Sequence, residues 1–181
     1  MSEKVRTFAA YKTNRNMLQI GTKAPMFEGA DENGNIIRLT DYAGKKLVLY
    51  FYPKDSTPGC TSEACDLRDN YHRFLAQGYE VLGVSRDSAA SHQRFIAKYE
   101  LPFHLISDPE HKILEAYEAW GEKKNPRMGN RTPQNQSNEV RNYGKVTMGT
   151  LRTTYVIDEQ GTIVDAIGKV NTKEHTKQIL K

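Results

Sequence analysis

The chain has almost no cysteine: two residues in 181, Cys60 and Cys65. Any sulfur chemistry has to come from that one pair. It also has no apolar run long enough to cross a membrane. Residues 1–16, an extension carrying Lys4, Arg6, Lys12 and Arg15, lack the apolar core of a secretory signal, so a cytoplasmic location is the expectation. No glycine-rich phosphate loop occurs, and no Ser-His-Asp arrangement can be drawn from the sequence. The five histidines (His72, His92, His104, His111 and His175) are scattered, with none at metal-ligand spacing to either cysteine. Neither a metal nor a cofactor is expected.

What is present is concentrated in VLYFYPKDSTPGCTSEACDLRDNYHRF, from Val48 to Phe74. The apolar and aromatic run Leu47 to Tyr52 suits a strand buried on both faces. Pro53 has no N–H to donate and ends the ladder. Thr57 then offers a helix N-cap, and Pro58 takes the first helical position, where a missing N–H does no harm. Cys60 falls in the first turn, where unpaired N–H groups and the positive end of the helix dipole favour an anion. Ala64, Leu67, Tyr71, Phe74 and Leu75 recur at core spacing, while Asp66, Arg68, Asp69 and Arg73 fall on the wet side. One helix is expected from Thr57 to Gln77, closed by Gly78.

The cysteine spacing carries a second inference. In an ideal helix, positions five apart lie roughly 8.6 Å from each other and about 140° around the axis. A disulfide needs Cα atoms within about 7 Å and Cβ atoms that face each other. Cys60 and Cys65 therefore cannot bond while both are helical. The pair is a poor static staple and makes sense as a redox couple with a conformational step. Two reduced, inert cysteines are the bland alternative.

PKDSTPGCTSEACDLRD resembles the peroxiredoxins, and within them the bacterioferritin comigratory protein (peroxiredoxin Q) group. Pro53, Thr57 and Cys60 meet the group's Pro-x-x-x-Thr-x-x-Cys signature, Glu63 follows at its place, and Cys65 matches the second cysteine on the same helix. The likeness extends over about Met17 to Lys181. It implies an α/β, thioredoxin-like fold: a mixed central sheet flanked by helices, with an N-terminal β-hairpin. It also implies a thiol peroxidase that reduces hydrogen peroxide and organic hydroperoxides. On that likeness Cys60 is the peroxidatic cysteine, Cys65 the resolving thiol, and thioredoxin or a similar dithiol the reductant. LRTTYVID matches the segment bearing the family's arginine, which carries that role to Arg152. Thr57 would hold the peroxide, Pro53 would shield the thiolate, and Glu63 would orient Arg152. The group is often monomeric, so a monomer is expected, with a dimer as the alternative. Alone, Thr57 reads as a cap, Glu63 as a good first-turn residue, and Arg152 as a surface arginine on a strand.

The remaining sequence agrees with one α/β domain over residues 17–181. ADENGNII signals a hairpin turning at Asn33-Gly34. Strands are expected at Tyr79 to Ser85 and Phe103 to Ile106, and helices at Ser88 to Glu100, Pro109 to Ala119 and Asn171 to Leu180. Thr153 to Ile157 and Thr162 to Ile167 form a second expected hairpin. Glu122 to Lys145 is polar and rich in Asn, Gly and Pro, with a net charge of +4, and Asn125 to Asn142 is read as an inserted loop. Such a basic loop suits an acidic partner or nucleic acid, yet only Tyr143 offers a stacking surface, so a solvated insertion is favoured. A thioredoxin-type exchange protein is the rival enzyme reading; the C-x4-C spacing speaks against it.

Overall fold

The computed structural model describes residues 16–124 and 146–181. The expected extension before Asn16 and the expected insertion at 125–142 lie outside the described residues. In chain order the elements are β1 (Glu28–Ala30), β2 (Ile36–Arg38), β3 (Lys46–Phe51), α1 (Pro58–Asp69), α2 (Tyr71–Ala76), β4 (Tyr79–Ser85) and α3 (Ala89–Tyr99). There follow β5 (His104–Ser107), α4 (Lys112–Ala116), β6 (Trp120–Lys124), β7 (Val146–Thr150), β8 (Thr153–Ile157), β9 (Ile163–Ile167) and α5 (His175–Ile179). Seven of the described strands form one sheet, in the order β2-β1-β5-β4-β3-β8-β9. The central β3, β4 and β5 run parallel, and the hairpins at both edges pair antiparallel. This is the mixed sheet that the sequence implies.

Strand β3 organises the interior. Leu47, Leu49 and Phe51 point into one apolar cluster with Leu82, Ile106, Leu114, Tyr117 and Tyr155. Val48 and Tyr50, with Tyr52 just beyond the strand, point into the other, with Cys60, Leu67, Phe74, Phe95 and Leu105. Both faces are covered, which is why the run reads as continuously apolar rather than alternating. Gly83 is needed here: a Cβ would come within 2.6 Å of Leu105 and 2.8 Å of the Tyr50 ring.

Several expectations are corrected. The helix from Thr57 to Gln77 breaks at Asn70, whose side-chain amide donates to the Asp66 carbonyl at 2.8 Å beside the residue's own backbone N–H at 3.3 Å. The break resets the phase, and Leu75 ends 47% exposed while Phe74 is fully buried. The helix expected from Pro109 starts only at Lys112, because Asp108 accepts from the Lys112 and Leu114 N–H groups and acts as the cap. The first hairpin does turn at Asn33-Gly34 as expected, with Gly34 at φ +81° and the Asp31 carboxylate accepting from the Asn33 and Asn35 N–H groups. The final helix is shorter than expected, spanning only His175–Ile179. Residues flanking the polar insertion pair as the ribbon β6–β7. Its strands were missed because, beyond Trp120 and Thr150 at its base, the ribbon has no core face to impose alternation.

Candidate active site

Sheet register brings the site together. Strand β8 runs antiparallel to β3, with Thr153 opposite Phe51. Arg152, one residue before β8, therefore lies beside the end of β3, where the chain turns through residues 52–57 into α1. Thr57 occupies the N-cap position in extended conformation (φ −77°, ψ 153°) and Pro58 follows it, as the sequence implies. The Thr57 hydroxyl does not cap, however. It donates to the Lys54 carbonyl at 2.9 Å, inside the loop.

Cys60 is buried in the first turn of α1, and the Arg152 Nη2 donates to its Sγ at 3.2 Å. The other arm of the guanidinium, Nη1, donates to Glu63 Oε2 at 2.5 Å. A single planar cation thus bridges the sulfur and a carboxylate one helical turn away, a geometry that suits arginine better than lysine. Burial works against the Arg152 charge, but the attraction of Glu63 and Cys60 outweighs it and keeps the guanidinium more firmly protonated than in water. Burial pushes the fully enclosed Glu63 carboxyl up to about 7, while Arg152 pulls in the opposite direction. Glu63 Oε1 has no hydrogen-bond partner among the described residues and lies 3.6 Å from His175 Nε2.

Gly59 permits this contact. A Cβ at that position would stand 3.2 Å from Arg152 Nη2, so the bare glycine leaves room for the guanidinium over the start of the helix. Behind Glu63, α5 closes the site. The Thr154 hydroxyl donates to His175 Nε2 at 2.8 Å, and His175 Nδ1 donates to Gln178 Oε1 at 2.9 Å. Burial lowers the His175 pKa and favours the neutral ring. Asp66 accepts from both the Thr176 N–H, at 2.6 Å, and its hydroxyl, at 2.7 Å, tying α5 to α1.

Of the residues singled out from sequence, Cys60, Arg152 and Glu63 meet in direct hydrogen bonds. Pro53 and Thr57 stand half-buried on the loop before Cys60. Cys65 is half-buried on the same unbroken helix, and both cysteines are free thiols. Sequence reasoning missed Gly59, Asp66, His175 and Thr176. Only the buried state of His175 marks it out, and that is invisible without the fold.

The AhpC/TSA family matches residues 20–166. Peroxiredoxin Bcp of Bacillus subtilis (strain 168) is 42% identical over 164 residues, covering 91% of this chain and 94% of its own. Peroxiredoxin Bcp of Escherichia coli (strain K12) is 36% identical over 165 residues, covering 91% and 95%. Among solved structures, a PrxQ variant from Xylella fastidiosa superposes with a TM-score of 0.76 at 29% identity, over 91% of this chain and 94% of that one. Peroxiredoxin Q of Xanthomonas campestris gives 0.72 at 35% identity, over 85% and 87%. With sequence, fold and a buried, arginine-bound cysteine in agreement, the chain belongs to the AhpC/TSA family, among the Bcp and PrxQ peroxiredoxins, and is a thiol peroxidase.

Proposed function

We propose that Cys60 is the peroxidatic cysteine and Cys65 the thiol that resolves it. The observation that carries this reading is the Arg152 guanidinium bound at once to Cys60 Sγ and Glu63. A cation against the sulfur and the N-terminal end of α1 beneath it both favour a thiolate. The thiolate attacks one peroxide oxygen; the S–O bond forms as the O–O bond breaks. The departing oxygen takes a proton and leaves as water or an alcohol, and Cys60 becomes a sulfenic acid. Arg152 stabilises negative charge as it moves from sulfur to oxygen. The Thr57 oxygen accepts from the incoming peroxide, and Pro53 keeps bulk water from the sulfur. Glu63 holds the arginine.

Cys65 then attacks the sulfenic sulfur, a disulfide forms and water is released. An intact α1 keeps the two thiols on different sides of the helix, so its first turns unwind for this step. A dithiol protein of the thioredoxin type reduces the disulfide. A relative at 34% identity, the bacterioferritin comigratory protein of Xanthomonas campestris, has alkyl peroxide reduction activity, which supports organic hydroperoxides as substrates beside hydrogen peroxide.

Cys60→Ser is expected to abolish peroxide consumption. One equivalent of peroxide should remove two hydrogens from a single parent peptide holding both cysteines, as read by mass spectrometry. Peroxide turnover by Cys60→Ser at the parent rate, with thioredoxin supplied, would overturn the assignment.

A further inference from the structure

The loop from Pro53 to Thr57 presents the residues proposed to meet the peroxide, yet four of its five side chains are exposed or half-buried. Asp55 alone points inward. Its Oδ1 accepts from the Tyr52 hydroxyl at 2.6 Å, and its Oδ2 accepts from the Ser91 hydroxyl and from His92 Nδ1, each at 2.8 Å. Its backbone N–H donates to Asp87 Oδ2 at 3.0 Å. His92, with no exposed side-chain surface, donates from Nε2 to the Ile106 carbonyl at 3.1 Å. Both ring nitrogens therefore face oxygens that accept. Next to this anchor, Ser56 is held at φ +62°, a left-handed conformation that costs a serine free energy and persists only where its neighbours are pinned.

We propose that His92 is a positioning residue for peroxide reduction: acting through Asp55, it holds the Pro53–Thr57 loop in the shape that receives the peroxide. This rests on Cys60 being the peroxidatic cysteine and adds a role for a buried pair that the chemistry at sulfur does not use. The pair belongs to α3 and to the loop, not to the Arg152–Glu63 arm. It governs where the peroxide sits, and none of its bonds reaches the sulfur. A hydrogen-bonded cluster with both partners enclosed holds a strained loop more firmly than one open to water.

The two nitrogens can be separated by substitution. His92→Asn places an amide nitrogen near the Nδ1 position and retains a donor to Asp55. His92→Gln reaches the Nε2 position, keeps the bond to Ile106 and loses the one to Asp55. Two rates are measured on the reduced full-length protein: single-turnover oxidation of Cys60 by hydrogen peroxide, and alkylation of Cys60 by iodoacetamide. The expected result is a peroxide rate within about threefold of the parent for His92→Asn and about tenfold slower for His92→Gln, with the alkylation rate not lowered in either. Asp55→Asn, which keeps the shape but no longer accepts on both oxygens, should give the same split and serves if the His92 variants do not fold.

The proposal is overturned if folded His92→Gln or Asp55→Asn oxidises at the parent rate. It is equally overturned if the peroxide and alkylation rates fall together, since that would mean the sulfur itself was disturbed. Failure of the underlying assignment would look different, because the parent protein would then show no peroxide-dependent loss of the Cys60 thiol.

Discussion

At the scale of single residues, the site is a competition for one guanidinium. Arg152 is gripped on one side by sulfur and on the other by Glu63, so it has nowhere to retreat without lengthening a bond that matters. Gly59→Ala tests this directly. The new methyl would lie 3.2 Å from Nη2, closer than such contacts normally fall, and 4.0 Å from Thr172 Cγ2. Alanine is the better helix former by up to about 1 kcal/mol, so thermal stability should hold or rise. Oxidation of Cys60 by peroxide should slow by about tenfold as Nη2 is pushed from the sulfur. A melting curve and a stopped-flow trace decide it: an unchanged rate would mean that Arg152 shifts freely. At this scale the sequence was informative where function sits in a local string. Pro53, Thr57, Cys60 and Glu63 lie within one turn and one loop, and Arg152 is found through its flanks. His92 and His175 were illegible, because Asp55 lies 37 positions from His92 and Thr154 lies 21 from His175, and only folding buries them together.

Among the elements, α1 is pinned at more than one point. Arg68 donates to the Tyr99 carbonyl at 2.7 Å, binding α1 to the end of α3, and the Asp66 carboxylate takes two hydrogen bonds from Thr176 of α5. Unwinding α1 so that Cys65 reaches Cys60 has to loosen the second of these ties. Thr176→Val removes the hydroxyl donor, leaves the backbone N–H to Asp66, and keeps the side chain's size. Loss of one such bond, worth about 1 kcal/mol, should speed disulfide formation about fivefold after a peroxide pulse. Quenched-flow mass spectrometry reads the disulfide directly; an unaltered or slower rate would show that α5 does not restrain the helix. Element boundaries were the least legible part of the sequence. The periodicity of Ala64, Leu67, Tyr71 and Phe74 continues across Asn70, so nothing in the pattern announces the break there. Strands β3, β4 and β8 read correctly because they are enclosed on both faces and most of their residues are apolar for that reason.

For the whole molecule, the same sheet that buries the core also buries a carboxyl, and the two demands meet in its response to pH. Glu63 is fully enclosed, and its pKa rises from about 4.5 to about 7. In the unfolded chain the carboxyl ionises near its ordinary value, whereas in the folded protein it keeps its proton until pH reaches about 7. Its contribution to stability is therefore largest below pH 4.5, declines as pH rises, and is lost once pH passes through 7. Glu63→Gln carries a neutral side chain at every pH and has no such dependence. Urea denaturation of both proteins between pH 4.5 and 8.5 should show the parent losing stability relative to Glu63→Gln up to about pH 7, with a constant difference above it. Function runs in the opposite direction: the ionised carboxylate holds Arg152 most firmly, so the rate of Cys60 oxidation should gain an inflection near pH 7 that Glu63→Gln lacks. A parent that instead gains stability over Glu63→Gln as pH rises would mean that the ion pair with Arg152 outweighs burial, and that the carboxylate is already charged in acid.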